Sequence, residues 1–439
     1  MNSFGEIRFA IKKHKLGLLL YTIFLNLYSV GIRIATLWSD KALLWRKGRK
    51  KFPSIEPLTK INNTVWMHCA SLGEFEQGRP LIEEIRKQYP NHILVITFFS
   101  PSGYEIVKNF TGADHIFYLP ADSVVNAKKF VELINPKLVL WVKYEYWYYY
   151  LHELKKRNIP ALLISGSFRN DHPFFKWYGK FWREMLSCFT FYFVQNESSK
   201  KLLEDININN IIVSGDTRLD RVITIAENSE EVLYIKEFCG NNKVIVAGST
   251  WDDDEAELVH YTKTNCHIKF IIAPHAVDKE NLKDIKKTFI GSIFYSEWIG
   301  YNEQQAIGNN QDKLQNTNCL IIDSIGILSK LYKYADIAYV GGGFGDDGLH
   351  NILEAVVYGK PVIFGPAIEK NFEAHELIEC GGGITIENAL ELEKTLTHLF
   401  KNEDELKSRG LAAKNYVYNK AGATKKIMEY IQVNRLLTN

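Results

Sequence analysis

Residues 337–366 read IAYVGGGFGDDGLHNILEAVVYGKPVIFGP, and this stretch decides how the rest of the chain is read. The apolar run 337–342 has no polar alternation, so it reads as a strand covered on both faces rather than a half-exposed one. Glycines follow it. A helical pattern then begins near His350, and a second apolar run, 361–365, opens with Pro361. Strand, turn, helix and parallel strand form one α/β unit. A helix start with free backbone N–H groups suits a phosphate. Glu354, one turn into the helix, is within reach of ribose hydroxyls. A glycine-rich turn before an ordinary capped helix explains the same residues. Loop, His350-Asn351, helix and the strand PVIFG together point to nucleotide-sugar binding.

Other runs of the same kind surround it. Residues 244–249, 269–274, 319–323, 337–342 and 361–365 form one series. Residues 65–70, 93–97, 137–142, 161–165, 191–195 and 211–215 form an earlier one, with helical stretches such as 79–89 and 127–134 between them. The segment 225–242 is more polar and separates the two series. The expected organisation is an anchor and basic flank over 1–51, a Rossmann-like domain over 52–224 and a linker over 225–242. A second Rossmann-like domain covers 243–420, and a C-terminal helix over 421–439 packs back on the first domain. In such sheets ligands bind outside the carboxyl ends of the strands, so two domains facing a central cleft are expected.

The chain has 439 residues, enough for two or three domains at roughly 150 residues each. Hydrophobic residues make up 46% and charged residues 24%, which excludes a disordered or fibrous chain. Net charge is +2, but residues 1–51 hold eleven Lys and Arg against Glu6 and Asp40, leaving −7 on the remainder. A general nucleic-acid binder does not keep its body acidic, so no nucleic-acid partner is expected. The six cysteines show no CxxC or zinc spacing and read as buried free thiols of a reducing compartment. No HExxH, Walker loop or DxD-type cluster at a strand end appears. Asp252, Asp253 and Asp254 read as the first turn of a helix.

Leu16–Ile32 is 17 residues long without a charge, the short end of a membrane span. Trp38, Trp45 and the basic block from Arg46 to Lys51 follow. The reading is a membrane anchor or an in-plane helix whose basic flank meets an anionic membrane surface from the cytoplasmic side. A buried core helix and a cleaved signal peptide are the competing readings. Residues 172–186, HPFFKWYGKFWREML, are expected to form a helix with Phe174, Trp177, Tyr178, Phe181, Trp182 and Met185 on one face. That face packs in the core or rests at lipid headgroup level, with Lys176, Lys180 and Arg183 meeting phosphates.

Besides the 341–366 stretch, three motifs can carry chemistry. Glu74, in CASLGEFEQ (69–77), sits just past a strand as a general base. Ser71 and Glu74 equally fit a helix capping box. Glu145, in VKYEYWYYY (142–150), lies among aromatics, either as a desolvated functional carboxylate or as a solvated one. Gly248, Ser249 and Thr250 precede an acidic helical turn, which suits a phosphate or a plain N-cap. His275 follows the next strand; a lone histidine is more often structural.

The order SLGE, E-x-W, AGST, a Pro-His turn, a glycine-rich loop with HNILEA, and GKPVIFGP resembles the Kdo (3-deoxy-D-manno-octulosonic acid) transferases of lipopolysaccharide synthesis. The resemblance runs from the anchor to about residue 420. It implies the GT-B architecture, with CMP-Kdo as donor, a lipid A precursor as acceptor and the inner membrane's cytoplasmic face as location. Transfer is expected to invert the anomeric centre, and no metal or other cofactor is expected, because no metal-ligand constellation is present in the sequence. By position the resemblance makes Glu74 the catalytic base and Glu145 the second essential glutamate. Around the donor it places Ser249, Thr250, His350, Asn351 and Glu354, to which the strand-end residues Gly248, His275 and Gly342 are added; Arg218 stands where the family has a basic residue and, with Arg169, is assigned to the acceptor side. The chain departs from the family pattern ETELWPN: Lys143 replaces its first acid and Tyr148-Tyr149 its Pro-Asn. Pro274-His275 shortens the usual Pro-Arg-His turn, and Ser165–Arg169 stands for N-A-R-L-S. A sugar-nucleotide 2-epimerase of similar architecture, or a non-catalytic membrane-tethered binder of sugar nucleotides, are the alternatives.

Overall fold

Two seven-stranded parallel sheets carry the chain. The computed structural model describes residues 3–56, 63–143, 145–306, 317–345, 348–369 and 371–438, with side chains from Leu16 onward except at 305 and 306. Tyr144, Asp346 and Asp347, and the side chains of Arg8, Lys12, Lys13 and Lys15, lie outside that description.

The chain divides into two compact units, 1–220 with 422–439, and 221–421. The first sheet comprises β1 (Thr64–Cys69), β2 (Ile93–Phe98), β3 (His115–Tyr118), β4 (Pro136–Val142), β5 (Ala161–Gly166), β6 (Phe191–Val194) and β7 (Ile211–Val213), in the order β3-β2-β1-β4-β5-β6-β7. Helices α1 (Ser3–Ala35), α2 (Asp40–Gly48), α3 (Leu72–Gln88), α4 (Pro101–Val107), α5 (Val124–Ile134), α6 (Tyr148–Lys156), α7 (Lys180–Leu186) and α8 (Glu197–Glu204) surround it. Helix α9 (Thr217–Glu227) begins in this unit.

The second unit holds β8 (Lys243–Thr250), β9 (Ile268–Pro274), β10 (Ile293–Phe294), β11 (Cys319–Ile321), β12 (Ile337–Val340), β13 (Val362–Phe364) and β14 (Gly383–Thr385), in the order β10-β11-β9-β8-β12-β13-β14. Its helices are α10 (Ile235–Cys239), α11 (Asp252–Thr264), α12 (Lys279–Thr288), α13 (Tyr295–Ala306), α14 (Leu328–Leu331), α15 (Leu353–Val356), α16 (Phe372–Glu379), α17 (Ala389–Lys401) and α18 (Glu403–Lys420). The last helix, α19 (Ala423–Val433), places Ile427, Met428 and Ile431 in the first unit's core.

Every residue of β1 and β5 is buried, which is why these strands read as unbroken apolar runs. Apolar side chains from both faces of the first sheet form two separate clusters, around Trp66 and Trp141 on one side and Val65 and Leu140 on the other. Three strands carry no run long enough to read: β3, β10 and β14, at sheet edges and two to four residues long.

The segment 225–242, expected as a linker, is part of the second unit instead. Ile235 and Phe238 are buried in it, and Trp298 Nε1 donates to Tyr234 O at 2.8 Å. Its apolar residues are spaced one helical turn apart among charges, which lowers the average polarity contrast without removing the packing face. Cys266 and Cys380 are exposed, whereas Cys69, Cys188, Cys239 and Cys319 are buried; all six are unbridged.

Candidate active site

In the first unit, Glu74 and Glu145 follow β1 and β4, neighbouring parallel strands in register from Val65 to His68. Glu74 lies in the first turn of α3, which begins at Leu72, well ahead of the helical stretch expected from 79. Ser71 N–H donates to Glu74 Oε2 at 2.8 Å, and the Ser71 hydroxyl meets the same oxygen. The capping box therefore forms. A capped carboxylate at a helix N-terminus keeps its second oxygen, Oε1, for other work.

Glu145 is fixed by tryptophans. Trp147 Nε1 donates to Glu145 Oε2 at 3.1 Å, and Trp141 Nε1 donates to its backbone carbonyl. His68 Nε2 lies 3.6 Å from the same carboxylate oxygen. This histidine was not singled out from sequence, because one polar letter inside VWMHCA looks like an interruption of a strand. It is fully buried on β1, with Nδ1 2.9 Å from Thr97 Oγ1 on β2.

Arg218 and Arg169 differ sharply. Arg218 is chelated by Asp216: Nε at 2.9 Å and Nη2 at 2.6 Å from Oδ2. Burial pushes the Asp216 carboxyl upward, but Arg218, followed by Lys143, outweighs it and holds the carboxyl below its usual range. Gln195 Nε2 also donates to Asp216 Oδ2 at 2.8 Å. Arg169 stands in an exposed loop and pairs at 3.2 Å with Asp171, itself exposed.

In the second unit the AGST residues and the glycine-rich loop meet. Ser249 has φ 54°, the left-handed region that a side chain rarely adopts. Such strain persists only where the surroundings enforce it and often marks a site. Gly341 N–H donates to Gly248 O at 2.9 Å, and Gly342 N–H to Asp254 Oδ2 at 2.9 Å. Gly342, at φ 89°, leaves room that a Cβ would fill 2.4 Å from Gly348 O. Gly248 is required by packing, since a Cβ there would lie 2.1 Å from the hydroxyl of buried Tyr332.

Three rings cluster beside this loop. His275 stacks at 4.4 Å on both Trp251 and His350. Trp251 Nε1 donates to His350 Nε2 at 3.0 Å, so that nitrogen is an acceptor and the neutral ring carries its proton on Nδ1. Trp251 escaped the sequence reading because it sits one residue past the AGST motif.

Several expectations change here. No long helix starts at His350: α15 begins at Leu353 and has four residues, so His350 and Asn351 precede it. Asn351 Oδ1 accepts from Leu353 N–H and its amide donates to Glu354 Oε1 at 3.2 Å. A helix dipole is thus not what this loop offers, and its Gly341, Gly342 and His350 N–H groups are bonded to Gly248 O, Asp254 Oδ2 and Gly341 O. The Thr250 hydroxyl donates to Glu255 Oε1 at 2.9 Å, inside the core, and four acidic residues fill the first turn of α11. That turn repels an anion rather than attracting one. Asp252–Asp254 do form a helix's first turn. Among the described residues, no group of three or more His, Cys, Asp or Glu side chains could hold a metal.

The N-terminal helix is long and apolar enough over Leu16–Ala35 to cross a membrane. One side of it is docked. Leu18 and Tyr21 pack on the first unit's core, and the Thr22 hydroxyl meets Tyr149 Oη at 2.7 Å. The other side exposes Leu19, Leu20, Phe24 and Leu27. Residues 172–186 do not form one helix with one apolar face. A 3₁₀ turn at Pro173–Phe175 precedes α7, because Gly179 passes so close that a Cβ would lie 2.1 Å from Pro173 O. Phe174, Phe181 and Met185 are buried, while Trp177 (90%), Tyr178 and Trp182 are exposed. Arg183 is not a free surface charge, since Nη1 caps Phe174 O at 2.8 Å. Trp45 is buried beneath the Arg49 guanidinium at 4.1 Å.

Two parallel α/β units with chemistry at their strand ends define the GT-B class of two-domain fold. A UDP-GlcNAc 2-epimerase from Neisseria meningitidis has this fold, with TM-score 0.59 at 17% identity over 84% of this chain and 99% of that one. So has a glycosyltransferase from Rickettsia africae, with TM-score 0.53 at 17% identity over 86% and 100%. The family profile of the 3-deoxy-D-manno-octulosonic-acid transferases (kdotransferases) matches residues 44–221. The 3-deoxy-D-manno-octulosonic acid transferase of Aquifex aeolicus is 26% identical over 82% of this chain and 92% of its own length. That of Chlamydophila psittaci is 27% identical over 77% and 78%. A bifunctional glycosyltransferase/methyltransferase of Fusobacterium nucleatum is 28% identical over 79% of this chain, which spans only 54% of that relative. Over most of its length the chain is thus similar to Kdo transferases, which are glycosyltransferases.

Proposed function

We propose that the chain moves Kdo from CMP-Kdo to a hydroxyl of a lipid A precursor at the cytoplasmic face of the inner membrane, in lipopolysaccharide synthesis. The observation that carries this reading is the pair of carboxylates, Glu74 and Glu145, at the carboxyl ends of two adjacent strands in a chain similar to Kdo transferases over most of its length.

Glu74 takes the proton of the acceptor hydroxyl, which attacks the anomeric carbon with inversion as the bond to CMP breaks. CMP departs with its phosphate met by Nδ1–H of His350 and by glycine-rich-loop N–H groups other than those of Gly341, Gly342 and His350, which are bonded within the protein. No metal is assigned a role, since phosphate charge is met by these donors.

The acceptor is an amphiphile, which accounts for the exposed apolar side of α1 next to a docked side. This division suits a helix lying in the membrane interface rather than crossing it. A cavity of about 680 Å³ between α1, α2 and the end of β3 is lined by Arg33, Arg46, Lys47, Arg49, Lys50 and Lys51 and by no carboxylate. Its charge favours phosphates at the membrane surface.

Acceptor-dependent release of CMP tests the reading. CMP-Kdo turned over only when lipid A precursor is present supports transfer. Conversion of the sugar nucleotide without acceptor supports an epimerase, and binding without turnover supports a tethered binding protein.

A further inference from the structure

We infer that His68 is a positioning residue that orients the Glu145 carboxylate, held for that task in a single tautomer by Thr97. The inference rests on the reading of Glu145 as part of the catalytic pair. Trp66 Nε1 donates to Thr97 Oγ1 at 2.8 Å, which occupies one lone pair of that hydroxyl. The Thr97 hydrogen then goes to the only other described partner of its oxygen, His68 Nδ1, at 2.9 Å. An imidazole that accepts at Nδ1 carries its proton on Nε2. That nitrogen is fully buried with no hydrogen-bond partner, and faces Glu145 Oε2 at 3.6 Å. The opposite tautomer would leave the Thr97 hydrogen without an acceptor and turn a nitrogen lone pair on a carboxylate.

A buried N–H with no partner is costly, and natural cores rarely keep one. Here it faces, at 3.6 Å, a carboxylate that is only 25% exposed. Hydrogen bonds of this kind are often long without substrate and tighten when it is bound. The His68 ring packs against Trp141 at 4.5 Å, and Trp141 also holds the Glu145 backbone. The histidine side of the dyad is thus rigid.

The test uses the full-length, membrane-bound enzyme. His68→Gln can still donate toward Glu145, whereas His68→Leu fills the space without a donor. We expect kcat in H68L to fall by 10-fold or more with the donor KM within two-fold, and H68Q to recover to within three-fold of wild type. Thr97→Val, which releases the tautomer, should lower kcat less than H68L. A second readout needs no turnover: the ¹⁵N spectrum of the histidine-labelled protein should show His68 protonated on Nε2, with that resonance shifting in Glu145→Gln. If H68L keeps wild-type kcat, if H68Q is as slow as H68L, or if the ring is protonated on Nδ1, the inference fails. Absence of Kdo transfer by the wild type would overturn the functional reading alone, because the tautomer and its response to E145Q would still be measured.

Discussion

The Tyr21 hydroxyl donates to Asp122 Oδ2 at 2.7 Å, so the most apolar helix of the chain is latched to the first unit by a buried carboxylate. Asp122 also accepts from the backbone N–H groups of Tyr149 and Tyr150 at 3.1 and 3.2 Å. Through this residue α1 and the start of α6, just past Glu145, are tied to the same point.

Asp122→Ala should therefore be costly, by about 3 kcal/mol, since it strands three donors at once. Tyr21→Phe removes one of them and should cost about 1–2 kcal/mol. Hydrogen exchange over 16–35 checks both. Faster exchange confined to α1 in Y21F, spreading to 148–156 in D122A, is the expected pattern.

The exposed side of α1 has a separate role. Replacing Leu19, Leu20, Phe24 and Leu27 together by serine should release the protein from anionic vesicles with little change in thermal midpoint. Each large apolar side chain contributes about 1.5–3 kcal/mol when buried, so four should lower partitioning by several orders of magnitude. Trp177→Ala should weaken it further by about ten-fold. Sedimentation with vesicles reads the result, and loss of folding instead of binding would mark these residues as core.

Burial, only partly offset by the Thr250 hydroxyl, pushes the Glu255 carboxyl up to about 7 from an ordinary value of 4.5. The folded protein then holds a proton that the unfolded chain has released. Stability from this group is complete below pH 4.5 and is lost as pH rises through about 7. The loss is on the order of 3 kcal/mol. Glu255→Gln should flatten the stability profile of the second unit between those limits, as followed by urea midpoints across the range.

His350 is held with its proton on Nδ1 by the indole of Trp251. Trp251→Phe keeps the stack on His275 and removes that donor. It should weaken CMP binding by about 1 kcal/mol, and His350→Ala by about 1–3 kcal/mol. Calorimetry with CMP is the measurement. Unchanged affinity in both would move the nucleotide away from the 341–351 loop.

What was legible in the sequence follows from how each feature is built. Strands such as 65–70 and 161–165 are buried on both faces, so their letters alone reveal them. The edge strands β3, β10 and β14 are held by a single neighbour and need no long apolar run. Glu74 and Ser249 could be found because a glycine or a serine-threonine pair marks a strand end. His68 could not, since its importance comes from Thr97 and Glu145, 29 and 77 residues away in sequence. The split of 172–186 depends on the close approach of Gly179 to Pro173, a tertiary contact that a helical period does not contain.

The central claim is tested most directly by mass analysis of a lipid A precursor incubated with CMP-Kdo and either the wild-type enzyme or Glu74→Gln. Glutamine keeps an acceptor for the Ser71 cap, so the fold is preserved while the base is lost. Lipid should gain one or more Kdo units with the wild type, at a rate about 10²–10⁴-fold lower with E74Q, and CMP affinity should be equal for both. Lipid of unchanged mass with the wild type would contradict Kdo transfer, and an E74Q rate above about a tenth of wild type would contradict the role of Glu74.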